Sequence, residues 1–157
     1  MESVANFLIE QGCKALVVAC NTATVNSIVA LREKIDMPIV GVEPAIKPAS
    51  LRSKTGVVGV LATAQTLRSD SFCALINRFS GPVNLLTQAC PELVRLVESA
   101  NLHSEETIST LESYIVPLLD MGADHIVLGC THFSFLRESM TQVIGGRALI
   151  VDVGAPV

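Results

Sequence analysis

The sequence predicts an α/β protein built as two facing, pseudo-symmetric halves with mostly parallel sheets. Three observations carry that reading. Short apolar runs rich in Val, Ile and Leu alternate with segments of helical spacing, the pattern of parallel strands joined by crossover helices. Half of the 157 residues are hydrophobic and only 4% are aromatic, so aliphatic side chains fill the core, as in strands buried on both faces. One local arrangement also occurs twice. Ala15-Leu16-Val17-Val18-Ala19-Cys20 runs into Asn21-Thr22, and His125-Ile126-Val127-Leu128-Gly129-Cys130 runs into Thr131-His132. Each reads as a buried strand that delivers a cysteine to the start of a helix.

Taken in order, residues 2–11 space Val4, Ala5, Phe7, Leu8 and Ile9 as a helix that Gly12 stops. The strand 15–20 follows, then a helix over 22–35 with Val25, Ile28, Val29, Leu31 and Ile35 at helical spacing. Met37-Pro38 ends it, 39–42 is a short strand, and Pro44 and Pro48 mark a loop or brief helix. A polar turn over 52–55 leads to a strand over 56–61, closed by Ala62-Thr63, and a helix over 64–78. The next strand is placed at 82–86. Cys90-Pro91 opens a helix to about Ser99, since proline suits the first helical turn. Ser104-Glu105-Glu106-Thr107 starts a helix reaching Met121, with Gly122 as its stop. After the second cysteine strand come a helix over 132–143, a break at Gly145-Gly146 and a last strand over 148–152. The first half is assigned residues 1–42 together with 148–157, and the second half 43–147.

Composition narrows the function. The chain is 17% charged with a net charge of −4 and has neither a basic stripe nor an aromatic platform, so nucleic acid is not an expected partner. No apolar stretch reaches membrane-spanning length, and Met1-Glu2-Ser3 does not open a signal peptide. The cysteines, at 13, 20, 73, 90 and 130, are odd in number and form no CxxC pair. Free thiols in a reducing, cytoplasmic setting are expected. Cys130 and His132 alone lack the further ligands a metal needs. No phosphate loop or GxGxxG is present, so no cofactor is expected.

Strand-end thiols suit one kind of chemistry. Inverting the α-carbon of an amino acid without a cofactor needs a base on each face, one thiolate and one thiol, exchanging roles with direction. A helix N-terminus favours thiolate and offers N–H groups to a carboxylate. Cys20 and Cys130 are therefore the candidate bases, His132 an aid to proton transfer at Cys130, and Asn21, Thr22, Thr131 and His132 candidate substrate donors. The plainer readings stand beside these. Free cysteine is most often a small core hydrophobe, which is the reading for Cys13, Cys73 and Cys90. Asn21, Thr22 and Thr131 also suit helix caps. His125 reads as structural and His103 as exposed. The duplicated setting is what favours function for the two thiols.

Ala19-Cys20-Asn21-Thr22-Ala23 and Gly129-Cys130-Thr131-His132 resemble the two signature motifs of the glutamate racemases, in the aspartate/glutamate racemase superfamily. Val17 through Thr24, Val42-Glu43-Pro44-Ala45, Gly59 through Thr63 with Thr66 and Ser69, and Cys90-Pro91 extend the resemblance over essentially the whole chain. Aspartate racemases typically place a His after Cys-Asn-Thr and read Cys-Thr-Glu at the second site, whereas Thr24 and His132 here fit the glutamate form. The resemblance implies cofactor-independent interconversion of L- and D-glutamate that supplies D-glutamate for peptidoglycan. It implies that Cys20 takes the proton from the D-isomer and Cys130 from the L-isomer, with Asn21, Thr22, Thr131 and His132 binding glutamate. Homodimers are common in the family.

The chain also departs from the family. An Asp-Ser-Gly strand and a Tyr-Gly loop expected before the first motif are missing, and the one tyrosine, Tyr114, lies elsewhere. Phe133-Ser134 replaces Tyr-Pro, and Val153-Gly154 follows Asp152 where a serine often stands. Against the family the chain is expected to be shortened at both ends, with an incomplete first half, an open sheet edge and exposed apolar faces. The alternatives are an inactive remnant that binds a small dicarboxylate or a protein, and a related racemase acting on aspartate.

Overall fold

The computed structural model describes residues 1–81 and 83–153. The first half holds α1 (Glu2–Glu10), β1 (Leu16–Val18), α2 (Asn21–Lys34) and β2 (Ile39–Gly41). β1 and β2 pair in parallel with Val17 opposite Val40. Side chains alternate across a strand, so Leu16, Val18 and Ile39 turn inward onto Ala5, Ile28, Leu31 and Ile35. Val17 and Val40 turn outward and remain 59% and 56% exposed. Val4 and Phe7 on α1 are exposed as well, so the first half carries the exposed apolar surface that the sequence leads one to expect. Two strands alone give little independent stability. α2 supplies the remaining support, because Arg32 at its end donates to the Ile39 carbonyl at 2.7 Å.

The second half holds α3 (Ile46–Arg52), β3 (Val57–Ala62), α4 (Ala64–Leu67), α5 (Asp70–Phe79), β4 (Asn84–Ala89), α6 (Pro91–Glu98), α7 (Glu105–Asp120) and β5 (His125–Gly129). A 3₁₀ helix (Thr131–Leu136), α8 (Arg137–Ile144) and β6 (Leu149–Val151) follow. The sheet order is β4-β3-β5-β6, and every pairing is parallel. Helices cover both faces, which is why these strands are continuous apolar runs. One face packs Leu61, Ile126 and Leu128 under Leu93, Leu111 and Ile115. The other packs Val58, Val60 and Val127 against Ile46, Phe72 and Val25. Val25 belongs to α2, so the first half is anchored into the core of the second. Parallel strands, helices on both faces and two halves match the expected α/β class.

Register places the chemistry. Ala62 is level with Ala89 on one side and Gly129 on the other. Thr63, Cys90 and Cys130 therefore leave three neighbouring strands together at their carboxyl ends, where open α/β sheets place ligands. Gly129 is needed for this approach: a Cβ there would lie 2.9 Å from the Leu61 carbonyl oxygen.

Several expectations are corrected. The last strand was assigned to the first half with 148–157, but β6 pairs with β5, Leu149 opposite His125, and Leu149 N–H donates to the Asp124 carbonyl at 2.9 Å. Residues 149–151 thus belong to the second sheet; Gly154 to Val157 lie outside the described residues. The helix expected over 64–78 divides into α4 and α5 because Thr63 and Ser69 each cap a new N-terminus, accepting from Thr66 N–H and Phe72 N–H. The strand expected at 82–86 runs instead over Asn84–Ala89, in step with the whole of β3; Pro82 lies outside the described residues. The segment after Cys130 is not one α-helix. It begins as the 3₁₀ helix, whose three-residue repeat puts Phe133 and Leu136 on one buried face. Cys73, expected in the core, is exposed, since α5 buries only Phe72.

Candidate active site

Cys20 and Cys130 occupy matching positions. Each is the extended residue directly before a helix, with φ −145° and ψ 123° at Cys20 and φ −147° and ψ 133° at Cys130. The two come from different sheets, and they lie close enough for the charge of Cys20 to act on Cys130. Cys20 is half-buried and Cys130 buried. The expected pull toward thiolate at a helix start is only partly realised at Cys130. Burial pushes its thiol above the ordinary value and Cys20 pushes it further, while backbone N–H groups of His132 and Phe133 pull the other way without prevailing. Cys130 is thus held toward its thiol form. Cys90, third at the same sheet edge, is fully buried, and burial pushes its thiol up to about 12. Its core assignment agrees with that; Cys13 is half-buried.

His132 stands between Cys130 and a carboxylate. Its Nδ1 is 4.0 Å from Cys130 Sγ, and its Nε2 is 2.6 Å from Glu98 Oε1. A carboxylate can only accept, so Nε2 carries the proton and, in the neutral ring, Nδ1 is left as an acceptor facing the thiol. Sequence reasoning missed Glu98. The signal was available: Glu98 ends α6, and a carboxylate in a last helical turn opposes the dipole.

Three threonine hydroxyls close into a ring across the two halves. Thr22 Oγ1 lies 2.9 Å from Thr63 Oγ1 and 2.8 Å from Thr66 Oγ1, and Thr63 and Thr66 are 3.0 Å apart. Each hydroxyl can donate once and accept twice, so the ring can be rearranged to present donors to an oxygen-rich ligand. Thr63 and Thr66 were legible only as a strand end and turn, because their convergence with Thr22 is tertiary.

Asn21 is 0% exposed, and neither its Nδ2 nor its Oδ1 has a hydrogen-bond partner among the described residues. An unpaired buried amide is uncommon in a folded protein, and this one adjoins a thiol. It is not a side-chain cap, and neither Cys20 nor Cys130 caps its helix through its own side chain. Thr131 is half-buried at the start of the 3₁₀ helix. The structure therefore groups Cys130, Thr131 and His132 at one helix start and Cys20, Asn21 and Thr22 at the other, with Thr22 bonded to Thr63 and Thr66 at the end of β3, the strand beside β5. His125 is buried and His103 exposed.

Comparison with known proteins follows the same residues. The family described as Asp/Glu/hydantoin racemase matches residues 1–155. A glutamate racemase of Herpetosiphon aurantiacus is 48% identical over 156 residues, 99% of this chain and 61% of the relative. One from Ralstonia nicotianae is 46% identical over 154 residues, 98% of this chain and 56% of its own length. The chain thus spans about three fifths of the length of these curated relatives. The crystal structure of Escherichia coli glutamate racemase, in complex with L-glutamate and the activator UDP-MurNAc-ala, superposes with a TM-score of 0.84 at 39% identity. That match covers 98% of this chain and 59% of the other.

Proposed function

Because the chain belongs to the Asp/Glu/hydantoin racemase family, we propose that it carries the proton-transfer site of a cofactor-independent glutamate racemase. The observation that carries this reading is the matched placement of Cys20 and Cys130 at two helix starts from two sheets. One sulfur, as thiolate, removes the α-proton of glutamate. The other, as thiol, returns a proton to the opposite face, and the enzyme is left with the two roles exchanged. Cys130 is the acid of the D-to-L direction, a role that the burial of its thiol favours, and Cys20 is then the base. In the L-to-D direction the roles reverse, and His132, backed by Glu98, takes up the Cys130 proton to make the thiolate. Asn21, Thr22, Thr131 and His132 hold the substrate carboxylates, with Thr63 and Thr66 added through the hydroxyl ring. The product, D-glutamate, serves peptidoglycan synthesis in the cytoplasm.

A second reading, binding without turnover, is favoured by the uncovered Val17–Val40 face of the first half. One experiment separates the two. The chain is incubated with L-glutamate in deuterium oxide, and loss of the α-proton is followed by NMR, with aspartate in parallel. Exchange of glutamate, abolished racemisation in both Cys20→Ser and Cys130→Ser, and slower exchange of aspartate are expected. Racemisation retained in either variant would remove the two-base mechanism, and no exchange at all would leave the binding reading.

A further inference from the structure

A cavity of about 260 Å³ opens at the amino ends of the second sheet, lined by Arg52, Lys54, Asp124, His125 and Arg147 among others. It gathers the turn after α3, the start of β5 and the turn between α8 and β6. β5 separates it from Cys130 by roughly 16 Å of extended chain, so it is not part of the thiol site.

Arg52, Lys54 and Arg147 line the cavity with Asp124; Arg147 also pairs with Asp120 Oδ1 at 2.6 Å, and the Asp124 carboxylate is fully engaged. Asp124 Oδ1 accepts from Ser53 Oγ at 2.8 Å and from His125 Nδ1 at 2.8 Å. Its Oδ2 accepts from the N–H groups of Lys54 at 2.6 Å and Thr55 at 3.0 Å. Burial alone would raise the Asp124 carboxyl, but the bonds from His125, Ser53, Thr55 and Lys54 outweigh it and hold the group well below the usual carboxylate range. Asp124 therefore orients His125, and the carboxylate that meets Arg147 is Asp120. His125 is only 4% exposed. With Nδ1 spent on Asp124, Nε2 is its remaining polar atom, and it makes no hydrogen bond among the described residues. A buried imidazole with one unused nitrogen, in a cavity rimmed by two guanidinium groups and an ammonium, is the chemistry that receives a tetrahedral oxyanion.

We propose that this cavity binds a phosphate-type oxyanion, with Arg52, Lys54 and Arg147 supplying charge and His125 Nε2 completing the contact. A proton on Nε2, or on the anion itself, makes that last hydrogen bond. The proposal is independent of the racemase reading.

The test uses the nitrogen-15-labelled chain, titrated with inorganic phosphate and, at matched ionic strength, with chloride. Saturable shifts at the amides of Lys54, Gly146 and Arg147 and at the His125 ring are expected with phosphate alone. Arg52→Ala combined with Arg147→Ala, both at exposed positions, should weaken binding at least about tenfold and lower stability by no more than about 1 kcal/mol, the most that loss of the exposed Arg147–Asp120 pair costs. Lys54→Gln, which keeps the backbone bond to Asp124, provides a second variant with the same expected direction. Shifts that fail to saturate, that chloride reproduces, or that persist undiminished in these variants would overturn the proposal.

Discussion

Asn21 is the residue whose replacement tests the site most directly. Its amide is fully buried with both polar atoms unpaired among the described residues, and leaving such a group unsatisfied costs about 1–3 kcal/mol. Leucine branches at the same carbon and has nearly the same shape, so Asn21→Leu removes the penalty without opening a cavity. It also adds a little helix propensity in the first turn of α2. A gain of about 2 kcal/mol is expected. For a chain of this length each 1 kcal/mol moves the melting temperature by roughly 2–4 °C, so the variant should melt roughly 4–8 °C higher. Glutamate should act in the opposite sense. A ligand at a hundred times its dissociation constant stabilises the native state by about 2.7 kcal/mol, and the parent should gain that while the variant gains little. Thermal unfolding with and without glutamate measures both effects. A variant melting at or below the parent would mean that Asn21 already has the partners it needs. Equal stabilisation of both by glutamate would remove Asn21 from the binding site.

Three further outcomes follow from the same geometry. Glu98→Gln keeps an acceptor opposite His132 but removes its charge, and kcat for α-proton exchange should fall by about ten- to a hundredfold with KM little changed; steady-state kinetics on glutamate, with kcat unaltered as the refuting result, checks it. Gly129→Ala forces a Cβ to within 2.9 Å of the Leu61 oxygen and 3.0 Å of the Ala62 Cβ, and urea denaturation should show a loss of about 1–3 kcal/mol. Asp124→Asn tests the pH dependence of the clamp on residues 53–55. The folded carboxyl is depressed, so its stabilisation is present above the unfolded value of about 3.9 and is lost as pH falls toward the folded value. The stability difference between parent and variant should be constant above about pH 5 and shrink below about pH 4. A difference that grows on acidification would contradict the assigned direction.

How far this site could be read from the sequence depends on which interactions are local. Cys20 and Cys130 were legible because a strand end and a helix start are contiguous in the chain, and Asn21, Thr22, Thr131 and His132 came with them. Glu98 lies 34 residues from His132 and Thr63 lies 41 from Thr22; no local pattern couples such positions, and only the packing of α6 on the 3₁₀ helix and of α2 on α4 brings them together. The misplacement of β6 has a related cause. A short apolar strand such as Leu149–Val151 fits either sheet equally well by pattern, and the choice is made by Asp124, whose carbonyl receives Leu149 N–H while its carboxylate fastens the turn before β3. One residue thereby fixes the amino ends of three elements. The ionisation of Cys130 was also beyond local reasoning. A helix start argues for thiolate, but burial among Phe133 and Leu136, and after it the neighbouring Cys20, come from the fold and raise the thiol above its ordinary value.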